Sequence, residues 1–328
     1  MHRALAVVAL ALVLAACGPG DGAPERTFTF GSAASPSATG TAGAPSAWRR
    51  IAGITTPRRE VAAGVFSGVV YLVGGFGGDS VVETYVADRW SPAPGYPIPV
   101  DHAMAAGVDT AGTPGLYVFG GNVNGVAVAR SFRFLGDQGW REIAPMPAPR
   151  SQGAAVAIGP RVYIVGGAQN DRLVSPTYVY DTAADRWTTA AALPTPRDHL
   201  AAAALDGRVC AVGGRKLSLL QNLAVFECYD PSTDAWRSMP DAPTARGGLG
   251  AATVGGRMFV AGGEQPVGTF KEVDIFDSAT GKWTRGLDLP TPRHGLGVVA
   301  VGSTVYVMSG GPTPGTSQTA VCEALDVR

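Results

Sequence analysis

The sequence repeats itself at a period that no single helix or strand produces. A Gly-Gly pair closes a β-rich run at residues 74, 120, 166, 213, 262 and 310, so successive pairs start 46, 46, 47, 49 and 48 residues apart. One tryptophan follows each of the first five pairs (Trp90, Trp140, Trp187, Trp236 and Trp283), and the remaining one, Trp48, precedes the first pair. A period of this size marks one supersecondary unit used again and again, none of which covers its own apolar faces until its neighbours stack on it. The chain must therefore build a single assembly from six similar units.

Each unit reads as four short strands. The first is rich in small residues, as in "HLAAAAL" (199–205), "GLGAATV" (248–254) and "HGLGVVAV" (294–301). An apolar strand running into Gly-Gly follows, as in "RVYIVGG" (161–167) and "RMFVAGG" (257–263). The third ends on an aromatic-Asp pair and the fourth starts near tryptophan, as in "YDTAADRW", "YDPSTDAW" and "FDSATGKW". With 45 glycines, 25 prolines and only 16% charged residues, the composition suits tight turns between strands. No sustained helical periodicity appears after residue 20, so the body is all-β.

Together these features resemble the kelch repeat, over residues 48–328. The resemblance implies a six-bladed β-propeller, whose innermost strands converge on a central channel and need small side chains there, while outer strands accommodate Tyr and Trp. The last unit, "TAVCEALDVR" (319–328), has no tryptophan strand after it. The segment "AWRRIAG" (47–53) supplies the missing piece, and we expect it to complete the sixth blade and remove an open sheet edge.

The N-terminus has a different character. His2 and Arg3 precede an apolar run from Ala4 to Ala16, too short to span a bilayer comfortably but suited to a signal-peptide core. The run ends in "LAAC" (14–17), which resembles the bacterial lipobox and implies that Cys17 is acylated and becomes the first residue. Residues 1–16 are then a signal peptide, 17–46 a Gly/Ser/Pro/Ala-rich disordered tether, and 47–328 the propeller. The expected location is the extracytoplasmic side of a membrane, held by a lipid anchor.

Charge excludes one class of partner. With 26 basic and 26 acidic residues, nothing points to nucleic acid. The loop into each first strand carries a recurrent arginine, at Arg58, Arg150, Arg197, Arg246 and Arg293, with Val100 in that place in one copy. Two readings stand: guanidinium forks around the channel mouth that grip an acidic ligand, or donors for buried carbonyls where loops cross. The resemblance points to this face as the binding face. Beside it lie His102, His199 and His294, and the loops after Gly-Gly add polar residues including Glu264. The histidines fall in alternate units, so a ring is expected to hold them apart, and no metal or cofactor is assigned. Glu264 with Arg293 is the one conceivable acid/base pair. Cys210 and Cys228 face each other if a hairpin centres near residue 219, a spacing that a disulfide spans in an oxidising compartment; Cys322 has no evident partner. Leu217, Leu219, Leu220 and Phe270 hint at a protein partner. The expectation is a monomeric binding module for a glycan or an envelope protein. A sugar-acid mutarotase or epimerase, hence an isomerase, and an envelope scaffold are the alternatives.

Overall fold

The computed structural model describes residues 47–110 and 113–328; the apolar leader, Cys17 and the tether lie outside the described residues. Six antiparallel sheets follow one another along the chain, each of four strands, with a two-residue fifth strand, Gly268–Thr269, added in blade 5. Blade 1 orders Ala62–Phe66, Val69–Val73, Val82–Val86 and Arg89–Pro92 from inside to outside. Blades 2 to 5 repeat that order, their first strands being Met104–Val108, Ala154–Ile158, Ala201–Leu205 and Gly247–Val254. Blade 6 has Gly297–Val301, Thr304–Met308 and Cys322–Asp326, and its outermost strand is Arg49–Ile51 from the other end of the chain. There Arg49 pairs with Ala324, Arg50 with Glu323 and Ile51 with Cys322. The ring closes as the sequence predicts, and the fold is a six-bladed β-propeller. The described residues contain no α-helix, only two short 3-10 turns.

Small side chains on the first strands follow from convergence. A Cβ on Gly107 of blade 2 would lie 1.5 Å from the Val65 carbonyl oxygen of blade 1, so the backbones meet with no room for one. Farther out, apolar side chains fill the gaps between sheets. Six buried clusters form, one at each blade–blade interface. The last joins Val299, Met308 and Cys322 to Leu72, Tyr85 and Trp90, welding blade 6 to blade 1.

Hydrogen bonds repeat around the ring as faithfully as the packing does. Each tryptophan indole N–H donates to a backbone carbonyl of the preceding blade's outgoing loop, at 2.8–2.9 Å: Trp90 to Ala52, Trp140 to Pro94, Trp187 to Ala144, Trp236 to Ala191, Trp283 to Pro240 and Trp48 to Leu287. Nearer the axis, the amide of the second glycine of each pair donates to the carbonyl of the residue at the arginine position of the next blade, from Gly75 to Val100 through Gly263 to Arg293. Both glycines of a pair hold positive φ, as in Gly120 (56°) and Gly121 (92°), where a Cβ is strained. In blade 6 this role belongs to Ser309 and Gly310, φ 62° and 96°, with Gly310 donating to Arg58. The final Gly-Gly at 310–311 is therefore one residue out of phase. Two adjacent glycines are visible in the sequence, but only the bond to Arg58 tells which residue does which job.

Because each closing bond joins the two ends of the chain, the outermost strand of blade 6 supports every blade. Deleting residues 47–56 should lower the melting temperature of the 47–328 head by well over 10 °C and broaden its transition; melting like the intact head would refute this closure.

Candidate functional site at the channel mouth

The loop that enters each first strand and the loop after each Gly-Gly lie at the same end of the blades, because strands one and two run in opposite directions. This end carries the residues singled out in the sequence. The arginines do not line its surface. Arg58, Arg150, Arg197, Arg246 and Arg293 are among the most deeply buried side chains, each at 0–1% exposure.

Apart from Nε of Arg58, Arg150, Arg246 and Arg293 and one terminal nitrogen of Arg293, which have no hydrogen-bond partner, their donors are used within their own blades. Arg197 donates to the carbonyls of Gly213, Thr195 and Ala211 and to Glu227 Oε2 at 2.6 Å. Arg58 reaches the Val81 and Leu72 carbonyls and Glu83, and Arg246 the Glu272 carbonyl and Asp274. Arg293 donates to Val307 and lies 2.9 Å from Glu323. Threonines just upstream complete the grip: Thr55, Thr195 and Thr291 hydroxyls donate to Glu83, Glu227 and Glu323. Blade 3 substitutes an aromatic for the acid, and Arg150 sits 4.3 Å over the Tyr178 ring. Blade 2 drops both partners, with Val100 in the arginine position and Phe132 in the acid position, both in one apolar cluster. Burial pulls the Arg58 and Arg150 guanidinium groups down to about 10, which leaves them charged at neutral pH. Of the two sequence readings, the arginines are interior fasteners and not ligand contacts. Glu264 does not pair with Arg293 either; its carboxylate accepts from Arg215 at 2.8 Å.

What surrounds the axis is the residue two places after each arginine position: Glu60, His102, Gln152, His199, Gly248 and Gly295. All six hold φ between 51° and 68°. Their backbones form a closed circle. His102 N–H donates to Glu60, Gln152 to His102, His199 to Gln152, Gly248 to His199, Gly295 to Gly248 and Glu60 to Gly295, each at 2.8–3.1 Å. Left-handed geometry costs a non-glycine residue about 1 kcal/mol or more, and such strain tends to persist where function needs it. Four of the six are not glycine.

The circle is narrow enough to bring side chains of different blades into contact. His102 Nε2 and His199 Nε2 lie 3.2 Å apart, although their blades are not neighbours. The expectation that a ring holds the histidines apart is wrong. Their distance is set by the inner circle, not by blade separation. His102 Nδ1 lies 2.5 Å from Asp101 and His199 Nδ1 2.5 Å from Asp198. Glu60 Oε2 is 3.4 Å from His102 Nε2, and Glu60 Oε1 is 3.3 Å from His294 Nδ1. His294 comes one place earlier in its loop than the other two and reaches the group from the side, 3.5 Å from Glu264. The glycines of the circle make the room: a Cβ on Gly295 would stand 2.5 Å from Glu60 Oε1.

Burial alone would raise the Glu60 carboxyl, but His102, His294 and His199 around it hold it well below the usual carboxylate range. Asp198 is likewise held low against burial by its bond to His199. Burial pushes the His199 imidazole down, and Arg215 adds to this against the opposing bond to Asp198. The inner circle bounds a cavity of about 90 Å³, above a channel lined by alanine, glycine and valine. The sequence reading missed Glu60, Asp101, Gln152, Asp198 and Arg215. Aligning the six copies on the arginine position and reading two places on would have found the circle.

Two of the cysteines pair within blade 4, Cys210 and Cys228 standing opposite each other on adjacent strands and joined by a disulfide. Cys322 is a buried free thiol pushed up to about 11 by burial.

If the arginines fasten the blades, breaking one pair strands a buried charge, at a cost of about 3–5 kcal/mol. Arg197→Ala should lose that much in urea unfolding, and Arg197→Val combined with Glu227→Phe, the blade 2 solution, should recover most of it.

Comparison with known proteins agrees with the geometry. The kelch motif family matches residues 149–194, 196–243 and 245–289, which are blades 3, 4 and 5. An F-box/kelch-repeat protein of Arabidopsis thaliana is 29% identical over 92 residues, 28% of this chain and 25% of that protein. The matched stretch thus spans a quarter of that relative's length. The three blades outside the family match carry the same tryptophan and glycine bonds to their neighbours. The chain is a six-bladed β-propeller whose blades 3, 4 and 5 carry kelch motifs.

Proposed function

We propose that this propeller is a protein-binding module that docks a partner on its channel-mouth face. The kelch motifs support a binding or scaffold role, and the finer reading is carried by where apolar surface is left uncovered. Among the described residues, Phe76, Val126, Leu217, Leu220 and Val267 are exposed on loops after Gly-Gly, Leu220 and Val267 at 83% and 88%. These five stand on the mouth face in four different blades. Exposed apolar side chains gathered on one face around a charged floor are typical of a protein interface. Phe270, which the sequence suggested for this role, is buried beneath Arg246 instead.

The same face suits a small sugar poorly. The inner cavity is smaller than the roughly 150 Å³ that encloses a benzene-sized guest, so a sugar ring would rest on the circle without entering it. The Glu264–Arg293 pair that an isomerase reading relied on does not form. A membrane-anchored, exported head remains part of the proposal. It is supported by the "LAAC" segment ending at Cys17 and by the Cys210–Cys228 bond, which fits an oxidising compartment.

The test is a photo-crosslinking residue placed at Leu220 and at Val267 in the native cell, with Val86 at the opposite end of blade 1 as control. One protein captured at both mouth positions and absent at Val86 is expected, and Leu220→Asp should weaken its purified complex at least tenfold. Equal capture at Val86, or an affinity untouched by Leu220→Asp, would sink the interface. Separately, Cys17→Ala should release the protein from the membrane fraction, and retention there would overturn the lipid anchor.

A further inference from the structure

We propose that Glu60, His102 and His199 bind one divalent transition-metal ion at the channel mouth, with Zn²⁺ as the best fit. Neighbouring carboxylates fix the tautomers of the two imidazoles. A carboxylate only accepts, so the 2.5 Å contacts to Asp101 and Asp198 place a proton on Nδ1 of each histidine. In the neutral ring each Nε2 then offers a lone pair, and the two Nε2 atoms face each other across 3.2 Å. Glu60 Oε2 adds a third, 3.4 Å from His102 Nε2. Three such acceptors repel unless a cation, either a proton on one Nε2 or a metal ion, sits among them.

The distances fit such a cation. A tetrahedral Zn²⁺ with bonds of 2.0–2.1 Å sets its ligand atoms about 3.4 Å apart. The Nε2–Nε2 and Nε2–Oε2 separations match that edge, and one ligand atom from each of the three residues lies within 4.8 Å of the other two. Two imidazoles and a carboxylate suit zinc and its neighbours among the transition metals, and suit Mg²⁺ or Ca²⁺ poorly. Asp101 and Asp198 stand where outer carboxylates stand behind metal-bound histidines, fixing tautomer and ring orientation. Charge agrees: Glu60, Asp101, Asp198 and Glu264 surround the group, against one guanidinium, Arg215, which contacts both Asp198 and Glu264.

A separate observation points the same way. His294, 1% exposed, has neither ring nitrogen in a hydrogen bond, yet its Nδ1 is aimed between Glu60 and Glu264 at 3.3 and 3.5 Å. A buried imidazole held between two carboxylates, one of them Glu60, sets a second group of ligand atoms beside the first. Three protein ligands leave a further coordination position, and all three ligands border the mouth cavity, so that position opens onto it.

Residues 47–328 hold the closed ring and all six core clusters, and this head is the material for the test. Calorimetric titration with Zn²⁺ at neutral pH should show one equivalent bound with a Kd of about 1 µM or tighter, and Mg²⁺ should give no saturable heat. His102→Gln and His199→Gln should each weaken binding about 100-fold or more, and Asp198→Asn about 10–100-fold. Because a misfolded variant would also lose binding, Co²⁺ is added to the unaltered head, where two hyperfine-shifted exchangeable imidazole N–H proton signals are expected. No saturable Zn²⁺ binding, an affinity in either glutamine variant unchanged from the unaltered head, or a Co²⁺ spectrum without those two signals would each overturn the site. The first of these would mean that a shared proton alone bridges the two imidazoles.

Discussion

The innermost circle of backbone hydrogen bonds is the constraint on which the rest of the molecule depends. Six residues in left-handed geometry each donate to the one before, and the sixth bond returns to the first. A circle of six such residues fixes how close the first strands come to the axis, and so demands alanine and glycine on those strands. It also fixes where the second glycine of each pair must stand to reach the next blade's carbonyl. The tryptophan bonds repeat the same logic at the outer wall. Each interface is thus tied near the axis, at the glycine turn and at the rim, with an apolar cluster between. No single tie is worth more than about 1 kcal/mol net; closure makes them act together, since no blade moves without disturbing both neighbours.

The arginine fasteners illustrate how the repeat tolerates change. Burying a guanidinium and a carboxylate is costly unless both are fully engaged, and in blades 1, 4, 5 and 6 they are brought within 2.9 Å of each other. Blade 3 keeps the cation and trades the acid for a ring face, and blade 2 abandons both for Val100 and Phe132. No blade keeps the carboxylate without the arginine, and the one that keeps the arginine without the carboxylate sets it on the Tyr178 ring. That co-occurrence marks the arginine as an internal part of the sheet, and it is why five guanidinium groups near the mouth of a channel contribute nothing to its surface.

The parts of the structure legible in the sequence are those that local spacing determines. Period, blade number, small inner strands, the role of Trp48 and the closing strand all follow from residues a few positions apart and from the need to cover sheet edges. The functional cluster was not legible because it depends on the radius of a circle, a global quantity. His102 and His199 are 97 residues apart in sequence, and nothing local shows that their rings touch. The arginine's partner lies two strands away, so its burial was hidden too, although Glu83, Glu227, Asp274 and Glu323 recur at one strand position. The Ser309-Gly310 shift was masked by a coincidental third small residue.

The inner circle spends only main-chain atoms on holding itself together. Side chains at its six positions are consequently free to differ, and they do: one carboxylate, two imidazoles, one carboxamide and two hydrogens. Sequence drift at these places therefore alters chemistry with little change to architecture, except at Gly295, where a Cβ would stand 2.5 Å from Glu60 Oε1. The axis of the propeller behaves as a hexagonal socket whose pins can be exchanged one at a time, and related chains with the same frame would be told apart by which pins they carry.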